Sequence, residues 1–180
     1  MLENKVKKVR IFSFDESRIG LIGVKRRKIT LKGVKPVDKL QYEHKSLWLY
    51  GGFDVLSGDS YYWEFDNITK TNFSIFIDKL SNEYKDSINI ILMDNSKTHF
   101  IENYPDNIKF INIEAYSPEL NPAERVWQYI KDKLAWRIFK DLEELYNYTK
   151  DKINEISNDT YKSLISYPYI IDTIKSLNIM

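Results

Sequence analysis

The sequence predicts an α/β fold: a mixed central sheet in which an antiparallel meander leads into parallel strands flanked by helices. Three observations predict it. Strand-like segments crowd the first 65 residues. The hydrophobic period then switches to that of an amphipathic helix. A continuous apolar run, Ile88–Met93, follows that helix and is itself followed by further helix and strand signals.

The elements follow in order. Val6–Phe14 alternates and ends in β-formers, so it reads as a first strand with Asp15 directly after it. Ile19–Val24 reads as a second strand. The basic segment 25–39 loops out, and Ser46–Gly51 and Ser60–Phe65 continue the meander. Thr71–Tyr84 places Phe73, Ile77 and Leu80 on one helical face. Ile88–Met93 has the unbroken apolar character of a strand buried on both faces, and it ends at Asp94. Ser96–Asn103 is expected as a short helix and Ile108–Ile113 as another strand. Ala123–Trp136 carries Val126, Trp127, Ile130 and Leu134 on one stripe, and Leu142–Ile156 is a second amphipathic helix. From Tyr161 onward, past Pro168, the pattern is mixed and assigns no element. The five Pro and six Gly are scattered, so a single domain over residues 1–180 is expected.

Composition excludes several chemistries. Cys is absent, which removes disulfides, thiol nucleophiles and thiolate metal sites. The only two histidines are His44 and His99, so a His-rich centre is excluded as well. A metal here is held mainly by carboxylates, which favours hard ions such as Mg²⁺ or Mn²⁺. Neither a phosphate-binding G-x-x-x-x-G-K-[ST] loop nor a G-x-S-x-G elbow is present. The charged N-terminus lacks the apolar core of a leader, and no apolar run approaches membrane-spanning length. A cytoplasmic protein with no membrane partner is the expectation. Net charge is +1, from 27 basic and 26 acidic residues, so only a local patch can argue for nucleic acid.

The acidic residues make the sharper case. A helical crossover between the first strand and the Ile88 strand lays the two side by side. Asp15 and Asp94 then stand together at adjacent strand ends, where open α/β sheets build their sites. Two neighbouring carboxylates repel each other, and a cation neutralises them. Each Asp alone also fits a plain turn-forming role. Glu114, Glu119 and Glu124 compete to supply a third carboxylate. Glu124 falls at the third position of a helix that Asn121 can cap and Pro122 can open, so a capping box explains it too. It also borders the apolar stripe that faces the sheet. The pattern alone does not choose between these roles.

Three motifs stand in order along the chain: F-D-E-S (Phe14–Ser17), M-D-N-S-K-T-H (Met93–His99) and Y-S-P-E-L-N-P-A-E-R-V-W (Tyr116–Trp127). Together they resemble the DDE catalytic domain of mariner-type superfamily transposases, in particular the bacterial insertion-sequence branch. The resemblance implies an RNase H-like fold, with Asp15, Asp94 and Glu124 as the catalytic, metal-binding triad for two Mg²⁺ or Mn²⁺ ions. It implies DNA transposition and recombination chemistry, namely hydrolysis at transposon ends followed by transfer of the 3′-hydroxyl into target DNA. It also implies double-stranded DNA as partner, work as a homodimer, and a nucleoid-associated bacterial setting. Two features depart from the family pattern. Only 29 residues separate Asp94 from Glu124, and Asp15 lies 14 residues from Met1. The second leads to the expectation that the N-terminal helix-turn-helix DNA-binding domain is absent, or is supplied by a separately encoded partner.

Other residues are weighed beside the triad. Lys25, Arg26, Arg27, Lys28 and Lys32 crowd one loop and suit salt-dependent, sequence-blind phosphate contact, although such runs are also ordinary solvated loops. His99 can orient a phosphate, a water or a carboxylate near the triad, and Asn95 can order the strand end by bonding backbone. Glu16 neighbours Asp15, but strand alternation turns its side chain elsewhere. Trp127 and Trp136 read as core. Two further readings stay open: another RNase H-like nuclease acting on RNA–DNA hybrids or junctions, and a non-catalytic transposase relic that binds DNA or an assembly partner.

Overall fold

The computed structural model describes residues 8–27, 29–35, 37, 41–114, 117 and 120–176. Its central element is β1 (Lys8–Ile22). The two strands expected at Val6–Phe14 and Ile19–Val24 are therefore one. The polar interval Asp15–Arg18 does not break it, because β2 (Tyr42–Asp54) pairs antiparallel straight through, from Asp15 opposite Gly51 to Arg18 opposite Trp48. Ladder hydrogen bonds use the backbone, so side-chain polarity on a paired strand costs little. β3 (Ser60–Phe65) completes the meander on the far side of β2.

α1 (Lys70–Glu83) returns the chain to the other side of β1. Thr69 starts it, its side chain accepting the Asn72 N–H. β4 (Ser87–Met93) then lies parallel to β1, and β5 (Ile108–Asn112) parallel to β4. The strand order is β3-β2-β1-β4-β5, the mixed sheet that the sequence predicts. In place of the helix expected at Ser96–Asn103 there is a single 3₁₀ turn, Lys97–His99. Local bonds favour the tight turn: Asp94 Oδ1 accepts the Ser96 N–H, and Ser96 Oγ accepts the Thr98 N–H.

Four helices close the fold: α2 (Ala123–Leu134), α3 (Leu142–Asn154), α4 (Asn158–Ile165) and α5 (Pro168–Ser176). The last two occupy the tail that showed no clear period. Ser157 caps α4 and Pro168 opens α5, so short capped segments explain the weak signal. No helix among the described residues is long and apolar enough to cross a membrane.

Strand alternation divides the core into two layers. Phe12, Phe14, Tyr50 and Ile91 face α1, where Phe73, Phe76, Ile77 and Leu80 are fully buried. Ile11, Ile19, Leu21, Leu49 and Phe53 face the other way, against Val126, Trp127, Ile130 and Leu134 of α2. The β4 strand is less symmetric than its apolar run suggests. Its Ile91 and Met93 side is buried, but Ile90 and Leu92 are only partly covered.

Candidate active site

The register of the two central parallel strands builds the site. Ser13 stands opposite Leu92, so two residues further along each strand Asp15 comes level with Asp94. Asp15 is thus not at the end of its own strand, as expected, but at the end of its neighbour β4. Alternation sends Ser13 and Asp15 to the α2 side of the sheet, and Phe14 and Glu16 to the α1 side.

The start of α2 is pinned to that side. The N-cap is Pro122, which makes no side-chain cap bond, but Asn121 keeps its part of the expected cap: its Oδ1 accepts the Ala123 N–H at 3.2 Å. Asn121 also reaches across to β1. Its Oδ1 accepts from the Ser13 hydroxyl at 2.5 Å, and its Nδ2 donates to the Phe14 carbonyl at 2.9 Å. The Ser13 hydroxyl in turn accepts the Ala123 N–H at 2.9 Å. Asn121 and Ser13 are both buried, so these bonds escape competition from water.

One turn on, Trp127 lies over Gly51, the β2 residue paired with Asp15. A Cβ at Gly51 would stand 2.6 Å from Trp127 Cζ2, so only glycine lets the indole settle this close. The two contacts hold α2 against β1 and bring Glu124 toward Asp15. The Asp15 carboxyl is pushed up to about 8, first by burial, then by the nearby charges of Glu16, Glu124 and Asp94. Glu114, a competitor for the third position, lines a separate apolar cavity beneath α5. Glu119 lies outside the described residues.

Asp94 and Glu124 are exposed while Asp15 is partly buried. Asp94 is nonetheless held. Its Oδ1 accepts the Ser96 N–H at 2.9 Å and lies 2.9 Å from His99 Nδ1. The opposite ring nitrogen, Nε2, is 2.9 Å from Glu16 Oε1. His99 is 4% exposed and packs against Phe14 and Phe73. Burial works to lower its pKa, but the Glu16 bond and charge, aided by Asp94, outweigh it and raise it. Asn95, expected at the strand end, donates from Nδ2 to the Ile113 carbonyl at 3.1 Å and ties the end of β4 to the segment after β5.

Among the described residues no three acidic or imidazole groups close into a finished chelate. The donor set of Asp15, Asp94 and Glu124 is all oxygen and anionic, and it fits a hard divalent ion such as Mg²⁺ or Mn²⁺.

The basic loop joins β1 to β2. Lys25 and Arg27 are exposed, as is Lys32, while Arg26 pairs with Asp132 of α2 and is partly spent on structure. Lys28 lies outside the described residues. Trp127 is core, as expected, whereas Trp136 is only half-buried. Two contributors escaped the sequence reading. Glu16 turns away from Asp15, as alternation requires, yet meets His99. Lys131 stands close enough to Asp15 and Glu124 to feel their charge. Its spacing of seven from Glu124, two helical turns along the same face, is the signal that could have found it.

Known proteins resemble this chain in sequence and in fold. Residues 10–146 match the DDE superfamily endonuclease family. A stretch of 59 residues, 32% of this chain and 44% of the relative, is 39% identical to the uncharacterized protein y4pE/y4sA of Sinorhizobium fredii (strain NBRC 101917 / NGR234). Among solved structures, the Mos1 mariner paired-end complex with Mn superposes with a TM-score of 0.69 at 20% identity, covering 87% of this chain and 51% of that one. The paired-end complex with Mg gives 0.67 at 19% identity, covering 95% and 56%. The chain thus spans about half the length of the proteins it matches. At such identities the structural likeness speaks for the fold, which is the RNase H-like fold of the Mos1 transposase. The sequence match over most of the chain decides the family: the protein belongs to the DDE superfamily endonucleases.

Proposed function

We propose that this domain is the catalytic core of a transposase. It cleaves DNA at the ends of a mobile element and transfers the freed 3′-hydroxyl into target DNA. Asp15, Asp94 and Glu124 hold Mg²⁺ or Mn²⁺, two ions in the full site. The observation that carries this reading is the β1–β4 register, which sets Asp15 level with Asp94 on the side where α2 brings Glu124.

Bound divalent ions supply activation of a water or 3′-hydroxyl and stabilisation of the leaving oxygen. The remaining work falls to the chain. Asp15 gives up its proton on loading, since its carboxyl otherwise stays protonated up to about pH 8. Asp94 is steadied through Oδ1 by the Ser96 N–H and by His99, which leaves Oδ2 for a ligand. Asn121 and Ser13 fix the end of α2 that bears Glu124. The exposed cations of the β1–β2 loop, Lys25, Arg27 and Lys32, add phosphate affinity without reading sequence.

The partners belong to the same proposal: double-stranded DNA, a second copy of the chain, and a helix-turn-helix unit for end recognition. So does action in the cytoplasm, at the nucleoid. The Mos1 structures support the choice of DNA and of metal, being complexes with a transposon end or with Mn or Mg.

The deciding experiment is nicking of supercoiled plasmid in Mn²⁺ by the unmodified chain and by Asp94→Asn. Nicking by the unmodified chain alone is expected. Equal nicking by both would remove Asp94 from the chemistry. Cleavage of RNA–DNA hybrids without strand joining would turn the reading toward a hybrid nuclease.

A further inference from the structure

A cavity of about 180 Å³ lies between β1, the start of β2, the C-terminal end of α2 and the N-terminal end of α3. Its floor is apolar, with Leu134 and Phe139 among the lining side chains. Among the described residues four cations line it, Arg18, Lys45, Lys131 and Arg137, and no Asp or Glu does, although alternation turns the Arg18 side chain toward the α1 face with Glu16. In a chain of net charge +1 this is a marked local imbalance. Lys45 is already paired with Glu43 at 2.6 Å. Among the described residues Arg18, Lys131 and Arg137 make no ion pair with a carboxylate. Arg18 donates to the Ser46 hydroxyl, and Arg137 stacks over the Tyr148 ring, which fixes their side chains without neutralising them.

Lys131 links this cavity to the metal site. It is half-buried on α2, and the charges that act on it are those of Asp15, Arg26 and Glu124. Seven residues beyond Glu124 it lies on the same helix face, about 10 Å further along the axis. A duplex strand advances about 3.4 Å per phosphate, so that interval corresponds to about three nucleotides. An apolar floor with a cationic rim also matches a sugar–phosphate unit, whose sugar carries the apolar surface and whose phosphate carries the charge.

We propose that the cavity rimmed by Lys131 and Arg137 is a backbone-phosphate subsite. It grips the DNA strand about three nucleotides from the phosphate presented to Asp15, Asp94 and Glu124. This deepens the transposase reading and rests on it for the position of the reacting phosphate. The subsite sets where the strand lies along α2 and carries no sequence preference.

The test is the salt dependence of binding to a fluorescein-labelled duplex, followed by anisotropy in EDTA so that nothing is cleaved. Lys131→Gln and Arg137→Gln should each flatten the slope of log K against log salt by about 0.9, and the double variant by about 1.8. Lys131→Arg and Arg137→Lys should keep the slope of the unmodified chain, which separates charge from folding. Unchanged slopes in the Gln variants would overturn the subsite, as would a lack of salt-dependent duplex affinity in the unmodified chain. Inorganic phosphate that binds the unmodified chain but not the double variant, with the duplex slopes unaltered, would make the cavity a free-anion pocket and also overturn it. Binding in EDTA needs no chemistry at the carboxylates. A failure here is therefore distinct from a failure of Asp94→Asn to abolish nicking.

Discussion

Glu16 and His99 lie 83 positions apart in sequence and meet at 2.9 Å on the face of β1 opposite Asp15. The Glu16 side chain is 8% exposed and that of His99 is 3% exposed, so the contact is nearly dry. The other ring nitrogen of His99 faces Asp94. The pair thus connects two neighbouring residues of one motif to two different jobs. Asp15 is the proposed ligand, and Glu16 contacts Asp94 through the imidazole.

Breaking that connection should cost both stability and activity. His99→Ala leaves the Glu16 carboxylate buried without its partner, a loss of about 3–5 kcal/mol for a buried pair. Glu16→Gln keeps a hydrogen bond to the ring and should melt much closer to the unmodified chain. Outer partners of metal-ligating groups are typically worth about 10–100-fold in metal affinity or activity. Nicking by Glu16→Gln is therefore expected to fall by about tenfold while thermal melting changes little. Full nicking by this variant would reduce the pair to a packing role.

The Asp15 carboxyl gives the metal-free domain a distinctive pH response. Its folded pKa, about 8, lies above the unfolded value of 3.8. The stability linked to this group is fully present below the unfolded value and is lost as pH rises through about 8. His99, also raised, acts in the same direction above its ordinary value of 6.5. The melting temperature in EDTA should therefore fall from about pH 5 to about pH 8, and Asp15→Asn should flatten much of that fall. Cation binding near neutral pH should release about one proton, measurable by calorimetry in buffers of different ionisation enthalpy. A pH-independent melting curve in EDTA would contradict the buried position of this carboxyl.

Gly51 should behave as part of the site although it carries no functional group. A methyl placed there meets the Trp127 ring at 2.6 and 2.9 Å and the Phe53 ring at 2.8 Å, so Gly51→Ala must push α2 away from β2. Overpacking of this kind costs about 1–3 kcal/mol. Because Glu124 rides on the same helix, nicking should fall further than stability alone explains. Trp127→Phe in the Gly51→Ala background should recover part of the loss, a coupling that a double-mutant cycle reads directly.

Asn121 offers a complementary probe. Asn121→Ala strips an acceptor from the Ser13 hydroxyl and a donor from the Phe14 carbonyl, both at buried positions. Leaving such groups unpaired costs about 1–3 kcal/mol each. Ser13→Ala removes the Oγ that accepts the Ala123 N–H, so the two substitutions act on one network and should be clearly non-additive. Additive losses in thermal melts would show that the two side chains work separately.

Much of the architecture is legible in the residues. β3 runs over Ser60–Phe65 as read, and α1, α2 and α3 fall within two residues of their periodic stretches. Hydrophobic period is a local property, and burying one face of each element is what the fold does with it. The three motifs likewise carry the family resemblance, which the match over residues 10–146 bears out. The short tail helices escaped because caps and a proline, rather than a long stripe, define them.

The composition by itself excluded thiol chemistry, and the motifs by themselves carried the family and the proposal of Asp15, Asp94 and Glu124 as its site. Only the tertiary structure decided how those residues meet. The merger of two expected strands into β1 depends on pairing with β2, a non-local partner. The use of Asn121 as a clamp on β1, as well as a cap for the Ala123 N–H, depends on Ser13 lying across from it, 108 positions away. Glu16 and Lys131 gained their places for the same reason. One-dimensional patterns record which face a residue occupies, but the partner on that face is set by register and by the packing of helix on sheet.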